Sequence, residues 1–338
     1  VVNIGDVARA AGVSRSTASY ALSGKRAISP EVRQRVDEAV KDLGYTPNAG
    51  ARALATSQTM VLGLLAQFYE DEFAPAMLQY ILGVSDTARE LGYDILLMTE
   101  ADGARALQRV TRARMVDGVV LLNVAEDDER LPVLRQAPQP GALIGLPADS
   151  SGLDVFDLDF AEAGRMMVDH LWALGHRDLL LVSPPEHVVE RGGAYVWRLR
   201  DAAVEQAQRR GVALQTISAD SRQPAVGRSL VAALDQYPET TGLLVHNEAA
   251  AAALPPVLHT RGLEVPRDLS VIGRYSDEFA RTFSLPFSSI ESAPDRLGQM
   301  AVRQLVRRIE SQEGRDEPHV VRFISPELVD RGSTAGPR

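Results

Sequence analysis

Arg15 and Ser16 open a short amphipathic segment that continues through Thr17, Ser19, Tyr20 and Ser23, with Lys25 just beyond it. Side chains in the first turn of a helix can reach base edges in the major groove of DNA. There arginine bonds guanine O6 and N7 in bidentate fashion, and serine is permissive. The hydroxyls of Ser14, Thr17, Ser19 and Ser23 and the ammonium of Lys25 suit phosphate oxygens, which fix position without specifying sequence. Ser14 has a local alternative, because its hydroxyl can cap the helix that follows it.

Three short helices are expected to position these groups. Asn3 caps a helix over 4–11, with Ile4, Val7, Ala8 and Ala11 on one apolar face. Gly12 makes a tight turn and Val13 packs behind it. A second helix over 15–22 turns Ala18, Ala21 and Leu22 inward and Arg15, Ser16 and Ser19 outward. Ser29-Pro30 opens a third, whose stripe of Val32, Val36, Ala39, Val40 and Leu43 ends at Gly44. A small three-helix core with one polar helix facing out is the helix-turn-helix way of presenting a helix to the major groove. An ordinary three-helix bundle would share the pattern, and charge separates the two readings. Residues 1–58 carry eight Lys and Arg against five acids, a net of +3, while the whole chain carries −9 and the remainder therefore −12. A basic head on an acidic body suits phosphate contact at one end only.

Length and composition bound the rest. The 338 residues are enough for two or three domains with substantial cores. Apolar residues at 45 % and charged residues at 24 % are ordinary for a water-soluble protein. The longest apolar runs are too short to span a bilayer, so no membrane association is expected. The opening residues read as a capped helix rather than a secretory signal, which favours the cytoplasm. The absence of cysteine excludes disulfides and thiolate metal sites, and the six histidines lack ligand spacing, so no metal or cofactor is expected. Neither a phosphate-cradling Gly-x-x-x-x-Gly-Lys loop nor a Gly-x-Ser-x-Gly elbow occurs, which argues against an enzyme.

After Pro47, the alanine-rich stretch 48–56 favours a helix too short to be stable alone in water, one that should order only when packed. From Val61 onward apolar strand patterns alternate with helix patterns in two successive series. Such alternation implies parallel sheets covered on both faces, here two subdomains with a cleft between them.

The motifs Asp6-Val7-Ala8, Ala11-Gly12-Val13-Ser14, Ser16-Thr17, Leu22-Ser23-Gly24-Lys25, Leu43-Gly44-Tyr45 and Pro47-Asn48 resemble the head of the lactose-repressor (LacI) family. Val116-Asp117-Gly118, Leu174-Gly175-His176-Arg177, Ser270-Val271-Ile272-Gly273 and Leu328-Val329-Asp330-Arg331 extend the similarity along nearly the whole chain. The resemblance implies an all-α helix-turn-helix head over 1–47, a hinge helix and linker over 48–58, and an α/β sensor over 59–338. The sensor would have the periplasmic-binding-protein-like fold with two parallel-sheet subdomains, 59–159 with 291–319 and 160–290 with 320–332. The chain would cross between them near Asp159, Ile290 and Val320. Arg15 and Ser16 match the family's specificity pair, and Leu54 matches a leucine wedged into the minor groove, with Asn48 and Arg52 beside it. Tyr20 stands where the family usually has arginine, so it would bond a phosphate or pack on a sugar of the backbone, and the operator should deviate from the common type.

The resemblance also implies a small-molecule effector, expected to be a sugar, in the cleft at the carboxyl ends of the strands. Sugars call for planar hydrogen-bonding groups and an aromatic face. Phe73, Asn123, Trp197, Arg198, Asn247, Tyr275 and Asp277 are the candidates. Arg198 matches the family's ligand arginine, with Arg200 as a rival, and Trp197 could equally be core. Gly145, Phe160 and Tyr275 depart from the residues often found at their positions, and two carboxylates are missing as a result.

The region 75–91 carries a broad apolar face from Met77 to Ser85, which the resemblance assigns to a homodimer interface. No leucine heptads follow Arg331, so a tetramerisation tail is not expected. The expected function is a cytoplasmic dimeric repressor of a carbohydrate-utilisation operon, bound to double-stranded palindromic operator DNA and released by its effector. The alternatives are a corepressor-dependent regulator with a non-sugar effector and a solute-binding protein.

Overall fold

The computed structural model describes residues 2–23, 27–45, 58–69 and 73–338. It divides into two compact units, Val1–Met60 and Val61–Arg338, each considered by itself. The hinge segment over 48–56 falls wholly outside the described residues.

The first unit contains α1 (Ile4–Ala10), α2 (Arg15–Ser23) and α3 (Pro30–Leu43). Local chemistry sets each boundary. Asn3 Oδ1 accepts from the Gly5 N–H at 2.8 Å, and the Asp6 carboxylate accepts from the Asn3 N–H at 3.0 Å, a reciprocal cap. Gly12 turns the chain at φ +64°, in the left-handed region that other residues resist. Ser29 caps α3 ahead of Pro30, and Gly44 ends it. Val7, Ala11, Ala21, Val36 and Ala39 form the core, with Val13, Leu22, Val40 and Leu43 packed around it.

The second unit holds two six-stranded sheets. The first comprises β1 (Val61–Leu65), β2 (Asp94–Met98), β3 (Gly118–Leu121), β4 (Gly141–Ile144) and β5 (Asp154–Leu158), all parallel, with α4 (Ala74–Glu90), α5 (Gly103–Arg112) and α6 (Arg130–Gln136) between them. The chain then enters the second sheet through α7 (Phe160–Ala173). There β6 (Asp178–Ser183), α8 (Glu186–Glu190), α9 (Ala194–Arg210), β7 (Ala213–Ser218), α10 (Ala225–Gln236), β8 (Gly242–Val245), α11 (Glu248–Arg261), β9 (Ser270–Arg274), α12 (Asp277–Thr282) and β10 (Ser288–Ile290) follow. Strands buried along their whole length, such as Val120 to Leu122 and Leu179 to Val182, explain the near-continuous apolar runs.

After β10 the chain returns to the first sheet as α13 (Pro294–Glu310) and the short α14 (Gln312–Asp316). It continues as β11 (Val321–Ile324), which pairs in parallel with β5 at the sheet edge. It then leaves as β12 (Leu328–Val329), antiparallel to β10. The sequence reading placed 320–332 with the second subdomain, and the strand pairing corrects it. The third crossing follows Ile324 rather than lying near Val320, because Arg308 and the Val320 N–H both bond Asp154 and draw β11 against β5. The first two crossings follow Leu158 and Ile290. No helix among the described residues is long and apolar enough to cross a membrane.

Candidate DNA-contacting helix and ligand cleft

Helix α2 turns Ala18 and Ala21 into the head core and leaves Arg15, Ser16 and Tyr20 exposed on the opposite face, with Thr17 and Ser19 half-buried. Ser14 caps the helix: its Oγ accepts from the Thr17 N–H at 3.0 Å and lies 2.8 Å from both Ser16 Oγ and Thr17 Oγ1. The local role foreseen for Ser14 is therefore present. The Ser23 side chain, Lys25, Asn48, Arg52 and Leu54 lie outside the described residues.

In the second unit a cleft of about 1030 Å³, counted to its open mouth, lies where parallel strands end. Leu122, Asn123 and Val124 follow β3, Gly145 follows β4, Asp157 and Phe160 flank the end of β5, Asn247 and Glu248 follow β8, and Arg274 ends β9. Phe73, Met77 and Tyr80 enter from α4, and Val188, Ala194 and Tyr195 from α8 and α9.

Two arginine–carboxylate pairs dominate its electrostatics. Arg198 Nη1 lies 2.6 Å from Asp157 Oδ2, and Arg274 Nη1 lies 2.8 Å from Glu248 Oε1. Burial pushes the Asp157 carboxyl up to about 6 against the opposing pull of Arg198. His246, fully buried between Phe160 and Tyr195, is held well below the usual histidine range by burial and by the charge of Arg274. Among the described residues neither of its ring nitrogens has a hydrogen-bond partner. Burial likewise raises the Tyr80 phenol.

Asn123 adopts a left-handed backbone at φ +53°, and the buried Arg130–Asp128 pair braces that turn. Arg130 donates to the Leu122 and Asn123 carbonyls at 3.1 and 3.0 Å, while Asp128 accepts from the Ala125 N–H at 3.0 Å. Contacts also tie the two sheets across the cleft. The Glu126 N–H donates to the Gly192 carbonyl at 2.9 Å, Ser276 Oγ to Gln79 Oε1, and Phe73 packs edge-on against Phe279.

Comparison with known proteins places this geometry. Residues 3–48 match the profile of bacterial regulatory proteins of the lacI family, and residues 168–334 match a periplasmic binding protein-like domain. The chain is 30% identical to the HTH-type transcriptional regulator CelR of Thermobifida fusca over 314 residues, 90% of each protein. It belongs to the LacI family. It is also 30% identical to the HTH-type transcriptional repressor PurR of Serratia proteamaculans over 350 residues, 99% of this chain and 97% of that protein. A structure of CelR in complex with cellobiose superposes with a TM-score of 0.67 at 26% identity, over 98% of this chain and 100% of that one. A lac repressor dimer bound to operator and the anti-inducer ONPF shares the fold, with a TM-score of 0.79 at 24% identity over 99% of each chain. The protein is thus a LacI-family transcriptional regulator, from a family of DNA-binding proteins rather than enzymes.

On this LacI-family frame the predicted cleft residues separate. Phe73, Asn123 and Asn247 line the cleft. The Asn247 side chain is also structural: its Oδ1 caps α11 through the Ala250 N–H, and its amide donates to the Ala219 carbonyl at 2.9 Å. Arg198 does not itself line the cleft but holds the lining Asp157, whereas its rival Arg200 pairs with Asp201 on α9. Three further placements are corrected. Trp197 does not line the cleft, and its indole N–H bonds Glu126 across the sheets at 3.1 Å. Tyr275 is buried in the second core with its hydroxyl on the Phe287 carbonyl, and its ring occupies the space a side chain at Gly273 would need. Asp277 pairs with Arg331 and Arg281 away from the lining. The polar cleft-lining residues that the sequence reading did not select include Tyr80, Asp157, Tyr195, Glu248 and Arg274. Glu248 and Arg274 each adjoin a position that the reading did select, so a shift of one residue would have found them.

Proposed function

We propose that this regulator is a cytoplasmic repressor of a carbohydrate-utilisation operon, binding a palindromic operator as a homodimer and released by a sugar held in the cleft. The carrying observation is the cleft lining, where Asp157, Glu248 and Arg274 meet the aromatic rings of Phe73, Phe160 and Tyr195. Polar groups in fixed pairs beside flat rings suit a ring that carries hydroxyls on its rim and C–H groups on its faces. The similarity to CelR, whose structure holds cellobiose, supports the same class of ligand.

On the DNA, Arg15 and Ser16 would read bases and Tyr20 would meet the backbone, with Ser14, Thr17, Ser19, Ser23 and Lys25 as phosphate contacts. Asn48, Arg52 and Leu54 would enter the minor groove, Leu54 as the apolar wedge. Exposed Leu78 and Leu82 on α4 would join the dimer interface. Release is a population shift: a sugar that favours one disposition of the two sheets changes the fraction of dimers able to hold operator.

Fluorescence anisotropy on palindromic sites upstream of the gene tests this reading. Binding in the nanomolar range that a neutral sugar releases is the expected result, and binding that no sugar changes would overturn the release step. Leu54→Gly should weaken operator binding by roughly a hundredfold while sugar affinity stays constant; unchanged operator affinity would remove the wedge assignment.

A further inference from the structure

Phe160 has two guanidinium groups within cation–π range of its ring, Arg198 at 5.7 Å and Arg274 at 5.6 Å from the centroid. Each is paired with a carboxylate, Arg198 with Asp157 and Arg274 with Glu248. Arg274 is only 3% exposed. Its Nη1 faces Glu248, and its Nη2 makes a long bond of 3.3 Å to the His246 carbonyl. Its Nε–H is buried with no partner among the described residues. Arg274 and Glu248 both line the cleft, so their pair is presented as a unit to whatever enters it.

On the footing that the cleft is the effector site proposed above, we infer that Arg274 is its specificity-determining residue. With Glu248 it reads a vicinal hydroxyl pair of an uncharged carbohydrate. The pair offers a donor and an acceptor side by side. In a vicinal diol one oxygen accepts from the Arg274 guanidinium while its neighbour donates to the Glu248 carboxylate, so both protein groups are satisfied at once. An anionic ligand could accept from the Arg274 guanidinium, but its charge would sit beside Glu248 and Asp157, whose arginines are already neutralised. An apolar ligand would strip water from the Arg274–Glu248 pair and offer it no hydrogen bond. The departure of position 275 from the family's carboxylate fits this arrangement, since Tyr275 turns into the core and hands the strand end to the arginine before it.

Isothermal titration of the full-length protein with glucose, galactose and cellobiose, and with gluconate, glucuronate, galacturonate and glucose 6-phosphate, tests the assignment on the wild type without any variant. A neutral sugar should bind at least tenfold more tightly than its charged counterparts. Arg274→Lys keeps the charge but loses the planar fork, and it should weaken that sugar by roughly tenfold to a hundredfold. Glu248→Gln should weaken it by about tenfold. Sugar-free melting curves establish that both variants fold.

A charged compound that binds the wild type more tightly than its neutral parent would overturn the inference, as would failure of every neutral sugar to bind. Undiminished binding by Arg274→Lys would overturn it too, while sugar-released operator binding still stood. Conversely, a neutral sugar held through Arg274 that leaves operator occupancy unchanged would sustain the assignment and defeat the release mechanism.

Discussion

The outer face of α2 and the wall of the cleft both present arginine, in opposite states. Arg15 stands exposed beside Ser16 and Tyr20. Arg274 lines the cleft buried against Glu248, and behind the lining Arg130 is buried against Asp128 while the nearly buried Arg198 holds Asp157. An exposed cation interacts at long range and through counterions, so its partner can be a polyanion met in solution. A buried pair is screened very little, and a ligand beside it must match hydrogen-bond geometry rather than add charge. On the proposed function, one chain therefore carries a surface that senses charge and a pocket that senses shape.

Salt should separate the two most widely. Raising monovalent salt from about 50 to 200 mM should weaken operator binding on the order of a thousandfold, while sugar affinity measured by titration changes less than threefold. Comparable salt slopes for both ligands would erase the distinction. Next in size is the buried pair itself. Arg130→Leu leaves Asp128 charged and uncompensated and should cost about 3–5 kcal/mol in urea unfolding. Asp128→Asn combined with Arg130→Leu should recover part of that loss, and a single variant as stable as wild type would show that the pair braces nothing.

The smallest effect concerns His246. Its folded-state pKa is depressed by burial and by Arg274, so its contribution is present above the unfolded value and is lost as pH falls. The unfolded chain takes up a proton below about 6.5 that the folded chain refuses, worth about 1 kcal/mol at pH 5.5. Comparing the melting temperatures of wild type and His246→Gln at pH 7.5 and 5.5 should show a smaller acid-induced drop in the variant. Asp157 works in the opposite direction: its raised pKa favours the fold at acid pH and withdraws that support as pH rises through about 6. The wild-type curve alone is thus a sum, and the difference between proteins isolates His246.

The head was readable because its determinants are local. Asn3, Ser14 and Ser29 cap the helices they precede, and Gly12 turns where the apolar spacing breaks. The alternation of strand and helix in the sensor was readable for the same reason. The cleft was readable only to within a residue, because neighbours at a strand end point to opposite sides. Arg274 turns to the cleft and Tyr275 to the core, where its ring fills the space at Gly273 and its hydroxyl meets the Phe287 carbonyl, 12 positions further on. Trp197 was drawn to Glu126, 71 positions away, and β11 to β5 through Asp154. Neither partner leaves a trace in the residues beside it.

The late return of the chain as β11 and β12 has a consequence for synthesis. Each sheet receives a strand from 321–329, so neither can be completed before those residues leave the ribosome. The head has its own core within the first 45 residues and needs nothing downstream to close it. At roughly 5–20 residues per second, the interval between the two is on the order of fifteen to sixty seconds. For that time each nascent regulator is a finished head trailing an unfinished sensor.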